Sequence, residues 1–249
     1  MNKIFIFDVD GTLTPSRLPM TKEFQKFFSE WTKKNKFYLV TGSDIEKVKE
    51  QIPLLYMERA QGIFTCCGNQ FWKPDPSIVN TSAELIYDNK FEMTNKLKSS
   101  LEVMLMSSQY PHRYGNHIED RGSMVNFSVV GRNCTQEQRE KYYEWDKEKG
   151  ERRKMSIFLK NKFKDLDAVI GGQISIDIYP KGNDKSQVLN VIEQERLVPP
   201  SEYIFIGDGI ENGGNDYPLA ELMDNTPICD WYHTKGWKHT QEILESLND

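Results

Sequence analysis

The feature that most constrains this chain is a short apolar run that ends directly in a pair of aspartates. Lys3 to Asp8 has the aromatic and β-branched character of a strand, and Asp8-Val9-Asp10-Gly11-Thr12 follows without a spacer. An amphipathic helix is predicted over Thr21 to Lys34, a strand over Lys36 to Val40, a helix over Asp44 to Gln51 capped by Ser43 or Asp44, and a strand over Gly62 to Cys67. Near-continuous apolar strands separated by helices describe a parallel sheet buried on both faces. The same rhythm returns late in the chain. Helices are predicted at Asp184 to Glu195, Asn215 to Met223 and Trp237 to Leu247, with strands at Tyr203 to Ile206 and Pro227 to Cys229.

The middle of the chain follows another pattern. After the Pro/Asp-rich Lys73-Pro74-Asp75-Pro76 come a helix at Phe91 to Met106 and strands at His117 to Arg121 and Met124 to Val130. Helices at Thr135 to Lys149 and Arg152 to Phe163 precede strands at Ala168 to Ile170 and Ser175 to Tyr179. Paired strands with grouped helices imply an antiparallel sheet covered on one face. The expected architecture is an α/β, Rossmann-like parallel-sheet core of residues 1–83 and 183–249, with an α+β cap of residues 84–182 inserted through linkers near 73–88 and 180–184. A chain of 249 residues has room for both units.

Composition narrows the partners. With 32 Lys+Arg against 37 Asp+Glu the net charge is -5, and no basic block supplies the dense positive face that nucleic-acid phosphates require. The opening Met1-Asn2-Lys3-Ile4-Phe5-Ile6-Phe7 is too short for a signal-peptide core, and no stretch approaches the roughly 20 apolar residues of a membrane helix. A cytosolic chain acting on small molecules is expected. Cys66, Cys67, Cys134 and Cys229 form no Cys-x-x-Cys and are read as buried thiols.

Ligands of open parallel sheets bind beyond the carboxyl ends of the strands, where Asp8 and Asp10 should lie. Two residues apart on extended chain, they project to one side. That arrangement suits phosphoryl transfer, with one carboxylate attacking phosphorus and the other handling the proton of the leaving or entering hydroxyl. Carboxylates facing a phosphate dianion call for Mg²⁺ and a further acid, which Gly207-Asp208-Gly209 supplies after a late strand. Thr41-Gly42-Ser43, after the second strand, offers a hydroxyl and backbone N–H groups, and Lys185 can neutralise charge between nucleophile and phosphate. In the cap, Arg121, Arg132 and Arg139 can form a clamp for a dianion, and Ser175 and Asp177 share one side of their strand. Taken singly, Arg139 reads as a solvated helix position, and Arg121 and Arg132 as cross-strand partners of Glu119 or Asp120.

Asp8-Val9-Asp10-Gly11-Thr12, Thr41-Gly42-Ser43, Lys185, and Gly207-Asp208 with Gly214-Asn215-Asp216 stand in the order of the four motifs of the haloacid-dehalogenase-like superfamily, which the chain resembles. The resemblance implies Asp8 as nucleophile, Asp10 as general acid and base, catalytic roles for Thr41 and Lys185, a mobile cap, and Mg²⁺ held by the Asp8 and Asp208 side chains and the Asp10 backbone carbonyl. Arg121 to Ser128, Gly131 to Arg139 and Gly171 to Asp177 are similar to the cap of the eukaryotic-type phosphomannomutases, and Arg17 falls where that family places an arginine. This implies that Arg17, Arg121, Arg132, Arg139, Ser175 and Asp177 bind a hexose phosphate, and that mannose 6-phosphate and mannose 1-phosphate interconvert through an aspartyl-phosphate and a hexose 1,6-bisphosphate. The chain departs from the family at Cys66-Cys67-Gly68-Asn69-Gln70, where a Glu-Asn-Gly loop is usual, and at Ala220 to Asn225, where a second cation site is usual. A sugar-phosphate phosphatase would use the same residues, and a non-catalytic sugar-phosphate binder is the alternative from another class. A homodimer through the cap, where Met104 and Met106 serve a contact as readily as a core, completes the expectations.

Overall fold

The computed structural model describes residues 3–75, 77, 83–195 and 202–247. Backbone contacts divide the chain into two compact units, one of Met1–Asp88, Asp184–Asn212 and Asp216–Asp249, the other of Asn89–Asn183 with Gly213–Asn215.

The first unit is built on a seven-stranded sheet. In chain order its strands are β1 (Lys3–Phe7), β2 (Lys36–Val40), β3 (Gly62–Thr65), β4 (Gln70–Pro74), β5 (Ala83–Asp88), β10 (Glu202–Gly207) and β11 (Cys229–His233). They lie in the order β11-β10-β1-β2-β3-β4-β5, parallel from β11 to β3 and antiparallel across β3–β4 and β4–β5. Alternation along β1 explains the two covered faces. Phe5 and Phe7 pack with Phe24, Phe28 and Trp31 of α1 (Lys22–Trp31) and with Ile45 and Val48 of α2 (Ile45–Gln51). Ile4 and Ile6 face the opposite way, onto Val188, Leu189 and Ile192 of α7 (Gln187–Gln194) and Leu219 and Met223 of α8 (Tyr217–Asp224). The chain leaves β1 for β2 on one side and returns to β10 on the other. The end of β1 is thus the point where strand order reverses, the usual place for a ligand in such a sheet.

Several elements differ from the sequence expectation, among them the strand expected at Pro227 to Cys229, which runs over Cys229–His233, and the helix expected from Phe91, which starts at Asn95. Residues 73–88, expected as a linker leading to a cap from residue 84, hold the end of β4 and all of β5, which pair in the first unit's sheet. Pro74 is tolerated because it is the last residue of its strand, and the largely exposed Glu84, Leu85 and Ile86 on β5 lack the burial alternation that reveals a strand. The short helix α3 (Leu54–Arg59) has too few turns to show a period. The helices expected from Asp184 and Asn215 start later, at Gln187 and Tyr217, which leaves Lys185 and Asp216 on turns rather than within helices.

The second unit carries a four-stranded antiparallel sheet, ordered β6 (Ile118–Asp120), β7 (Val125–Phe127), β9 (Ser175–Pro180) and β8 (Leu166–Gly171). Its helices are α4 (Asn95–Ser107), α5 (Gln136–Lys149) and α6 (Glu151–Lys162). A capping box between Thr135 and Gln138 starts α5, and Gly150, left-handed at φ +62°, ends it and begins α6. Val125, Phe127, Ile176 and Ile178 pack on Leu97, Leu101, Met104, Tyr142 and Leu159 from the helices. Alternation then sends Asn126 and Asp177 to the other face. The last helix of the chain, α9 (Trp237–Ser246), belongs to the first unit. Among the described residues no helix is long and apolar enough to cross a membrane.

Candidate active site

Asp8 is the first residue beyond β1, and its N–H donates to the Ile206 carbonyl of β10 at 3.0 Å. The following loop closes over one acceptor: the Val9 carbonyl takes hydrogen bonds from the N–H groups of Thr12, Leu13 and Thr14. Gly11 stands at φ +79°, and a Cβ there would come within 2.2 Å of the Asp208 carboxylate, so both the turn and the close approach require glycine. Gly207 serves the same end, since a Cβ on it would meet the Asp216 carboxylate at 2.6 Å.

These loops gather charge. Lys185, fully buried on the turn before α7, donates from Nζ to Asp8 Oδ1 at 2.5 Å and to Asp216 Oδ1 at 2.6 Å. Asp216 Oδ2 accepts from the Gly209 N–H at 2.8 Å, and the Thr12 hydroxyl donates to Asp8 Oδ2 at 3.3 Å. Carboxylate oxygens of Asp8, Asp208 and Asp216 lie within 4.8 Å of one another. Burial pushes the Asp8 carboxyl up to about 7; Lys185 pulls it down and Asp216 pushes the same way as burial. Loss of hydration, then the charges of Asp8 and Asp216, hold Asp208 well above the usual carboxylate range. Burial works against the Lys185 ammonium, yet Asp216 and Asp8 keep its pKa above the ordinary lysine value. One cation against three carboxylates leaves a local negative excess, and an all-oxygen donor set of this kind fits a hard divalent cation such as Mg²⁺.

Asp10 is held apart from that cluster. Its Oδ1 accepts from the Arg17 N–H at 2.5 Å and Gln51 Nε2 at 2.9 Å, and its Oδ2 from the Ser43 hydroxyl at 3.3 Å. Three donors thus occupy the Asp10 carboxylate, in keeping with the expectation that this residue would offer a metal its backbone carbonyl rather than its side chain. Thr41, buried at the end of β2, accepts from the Ser43 N–H at 3.1 Å, so Ser43 is the residue of that loop that reaches Asp10. Arg17 enters through its main chain at φ +61°, a left-handed conformation that directs its N–H onto Asp10.

The second unit brings together most of its expected residues on the sheet face away from its helices. Arg132 donates to Ser175 Oγ at 2.8 Å and pairs with Glu119 at 3.2 Å. Arg121 donates to the same Glu119 oxygen at 2.7 Å, so both arginines pair with Glu119, Arg121 from just beyond the end of Glu119's own strand and Arg132 from a turn beyond β7, rather than across neighbouring strands as expected. Asn126 Nδ2 donates to Asp177 Oδ1 at 2.6 Å, and Gly171 leaves the space that the Asp177 carboxylate fills. Arg139 is buried on α5 rather than solvated. Sequence reasoning gave Asp216 no role of its own and passed over Asn126 and Gln51. Asp216 closes the glycine-rich loop that was noticed, and Gln51 interrupts the apolar stripe of Ile45 and Val48, a signal open to view in the sequence.

A haloacid dehalogenase-like hydrolase from Bacteroides thetaiotaomicron shares the fold, with a TM-score of 0.61 over 99% of this chain and 100% of that one at 15% identity. An IMP-nucleotidase of Plasmodium falciparum gives a TM-score of 0.62 over 99% of this chain and 66% of that one at 16% identity. In sequence, a phosphomannomutase of Encephalitozoon cuniculi (strain GB-M1) is 37% identical over 228 residues, which cover 89% of this chain and 85% of that one. A phosphomannomutase of Arabidopsis thaliana is 36% identical over 223 residues, 88% of this chain and 87% of that one. The family model described as eukaryotic phosphomannomutase matches residues 24–246, and with that match the chain belongs to the eukaryotic phosphomannomutase family.

Proposed function

We propose that this chain interconverts mannose 6-phosphate and mannose 1-phosphate by carrying a phosphoryl group on Asp8. The observation that carries the reading is the division of labour between two aspartates two residues apart. Asp8 is locked to a buried ammonium among carboxylates, while Asp10 is turned onto neutral donors. Asp8 attacks phosphorus, forming the new P–O bond as the bond to the sugar oxygen breaks, and Asp10 gives that oxygen its proton. Mg²⁺, held by the Asp8 and Asp208 carboxylates and the Asp10 carbonyl with Asp216 beside them, would neutralise the charge of the phosphoryl oxygens. Lys185 keeps Asp8 oriented and offsets the repulsion between carboxylate and phosphate. For return transfer, Asp10 takes the proton of the other sugar hydroxyl.

The second unit supplies groups for the rest of the substrate. Arg121 and Arg132 suit a phosphate dianion, which would draw them from the single carboxylate they share, and Ser175 and Asp177 suit ring hydroxyls. Arg139 adds guanidinium charge to the second unit, and Arg17 to the first. A bisphosphate has two phosphates to hold, and the two units carry machinery for one each. We assign the enzyme to the cytoplasm. Its association as a homodimer through the second unit falls to Met106, 86% exposed on α4, because Met104 is buried in the core.

The test is incubation with mannose 6-phosphate, Mg²⁺ and a trace of hexose 1,6-bisphosphate, followed by phosphorus NMR. Mannose 1-phosphate is expected to appear with little free phosphate. Stoichiometric free phosphate without mannose 1-phosphate would make the chain a phosphatase.

A further inference from the structure

Gln51 ends α2 on the stripe that Ile45 and Val48 begin, where an apolar side chain would serve the core. It is 1% exposed, and its Oε1 is buried without a hydrogen-bond partner among the described residues. Leaving an amide oxygen unmet costs stability that an apolar residue of similar shape would not cost, so the value of the amide lies in its other end. Nε2 donates to Asp10 Oδ1 at 2.9 Å and to Thr14 Oγ1 at 3.1 Å, while the Gln51 carbonyl accepts from the Met20 N–H at 2.8 Å.

The two oxygens of Asp10 are thereby made unequal. Oδ1 faces two N–H donors, Gln51 Nε2 and Arg17 N, and neither can accept a hydrogen bond, so a proton has no place there. Oδ2 faces the Ser43 hydroxyl, which can donate to a carboxylate or accept from a carboxylic acid and so tolerates both states. Ser43 precedes α2 and Gln51 ends it, so the same helix addresses both oxygens.

We propose that Gln51 is a positioning residue that fixes Asp10 so that Oδ2 alone exchanges the proton with the sugar hydroxyl. The inference rests on the reading of Asp10 as general acid and base. In the forward step the Oδ2–H proton passes to the sugar oxygen, which keeps the electron pair of the broken P–O bond, and Asp10 is left as the carboxylate.

The experiment measures the single-turnover rate of aspartyl-phosphate formation from two donors, in wild type and in Gln51→Met and Gln51→Glu. Hexose 1,6-bisphosphate has a sugar leaving group that needs the proton, and acetyl phosphate has a carboxylate leaving group that does not. General acid catalysis contributes typically about 10²–10⁴-fold. Misplacing the acid is expected to lower the ratio of bisphosphate to acetyl phosphate rates by about 10- to 100-fold in Gln51→Met. The loss is expected to be larger in Gln51→Glu, which keeps the shape should Gln51→Met not fold, and whose carboxylate repels Asp10. Equal losses with both donors in both variants would overturn the proposal, since a structural defect alone moves both rates together. A wild type that no donor phosphorylates would remove the proposed function itself, and the inference with it.

Discussion

The two units handle buried charge in opposite ways. In the first, Lys185 is shared by Asp8 and Asp216 with Asp208 close by, so three carboxylates surround one ammonium. In the second, Arg121 and Arg132 share Glu119, so two guanidinium groups surround one carboxylate. Each site carries an excess opposite in sign to the ligand proposed for it, a divalent cation in the first and a phosphate dianion in the second. The difference lies in how firmly the imbalance is locked. Lys185 is fully buried and both of its partners are nearly so, whereas Glu119 keeps 28% of its side chain exposed. A locked excess is suited to a permanent catalytic centre, and a loosely held one to residues that must exchange a protein partner for a substrate.

Removing one cation from each unit separates the two cases most clearly. Lys185→Met leaves two buried carboxylates unpaired, a change expected to cost about 3–5 kcal/mol, or roughly 10 °C in Tm for a chain of this size, and to abolish turnover. Arg132→Met removes a partner from an acid that keeps Arg121 and partial exposure, so the expected stability loss is about 1 kcal/mol. Its main effect should be a roughly 10- to 100-fold rise in KM with a smaller change in kcat. Thermal melts beside steady-state kinetics on the two variants measure both, and equal destabilisation would erase the distinction.

A smaller effect follows from Asp8. Burial, opposed by Lys185 and aided by Asp216, lifts its carboxyl from an ordinary 3.8 to about 7. Between those values the metal-free folded chain keeps a proton that the unfolded chain has released. This contribution to stability is complete at low pH and is lost as pH rises through about 7. A bound cation takes the proton's place, so the Tm gap between Mg²⁺-loaded and chelator-treated protein should widen from pH 5 to pH 8. A gap that stays constant or narrows would show that Asp8 carries no such proton.

Legibility in the sequence followed the range of the interactions. Asp8 and Asp10 were visible because β1 is an unbroken apolar run that stops at them, and Asp208 because β10 repeats the pattern. Lys185 had no local signature, as its partners lie 177 and 31 residues away, and only its place in a known order of motifs marked it. β4 and β5 were hidden by prolines and by exposure at the end of the sheet. Glu119 was recognisable as a strand neighbour of the arginines, but that one carboxylate serves both depends on the β6–β7 register and the path of the loop carrying Arg132. The unequal oxygens of Asp10 arise from Gln51 and Ser43 at opposite ends of α2, which no short-range pattern expresses.

In the proposed reaction a phosphoryl group rests on Asp8 between two sugar positions. The most direct measurement is rapid quench of the protein with labelled hexose 1,6-bisphosphate and Mg²⁺, followed by hydroxylamine treatment and peptide mapping. A hydroxylamine-labile label confined to the peptide containing Asp8, absent in Asp8→Asn, is the expected result. A label on another residue, or sustained mannose 1-phosphate formation by Asp8→Asn, would contradict it.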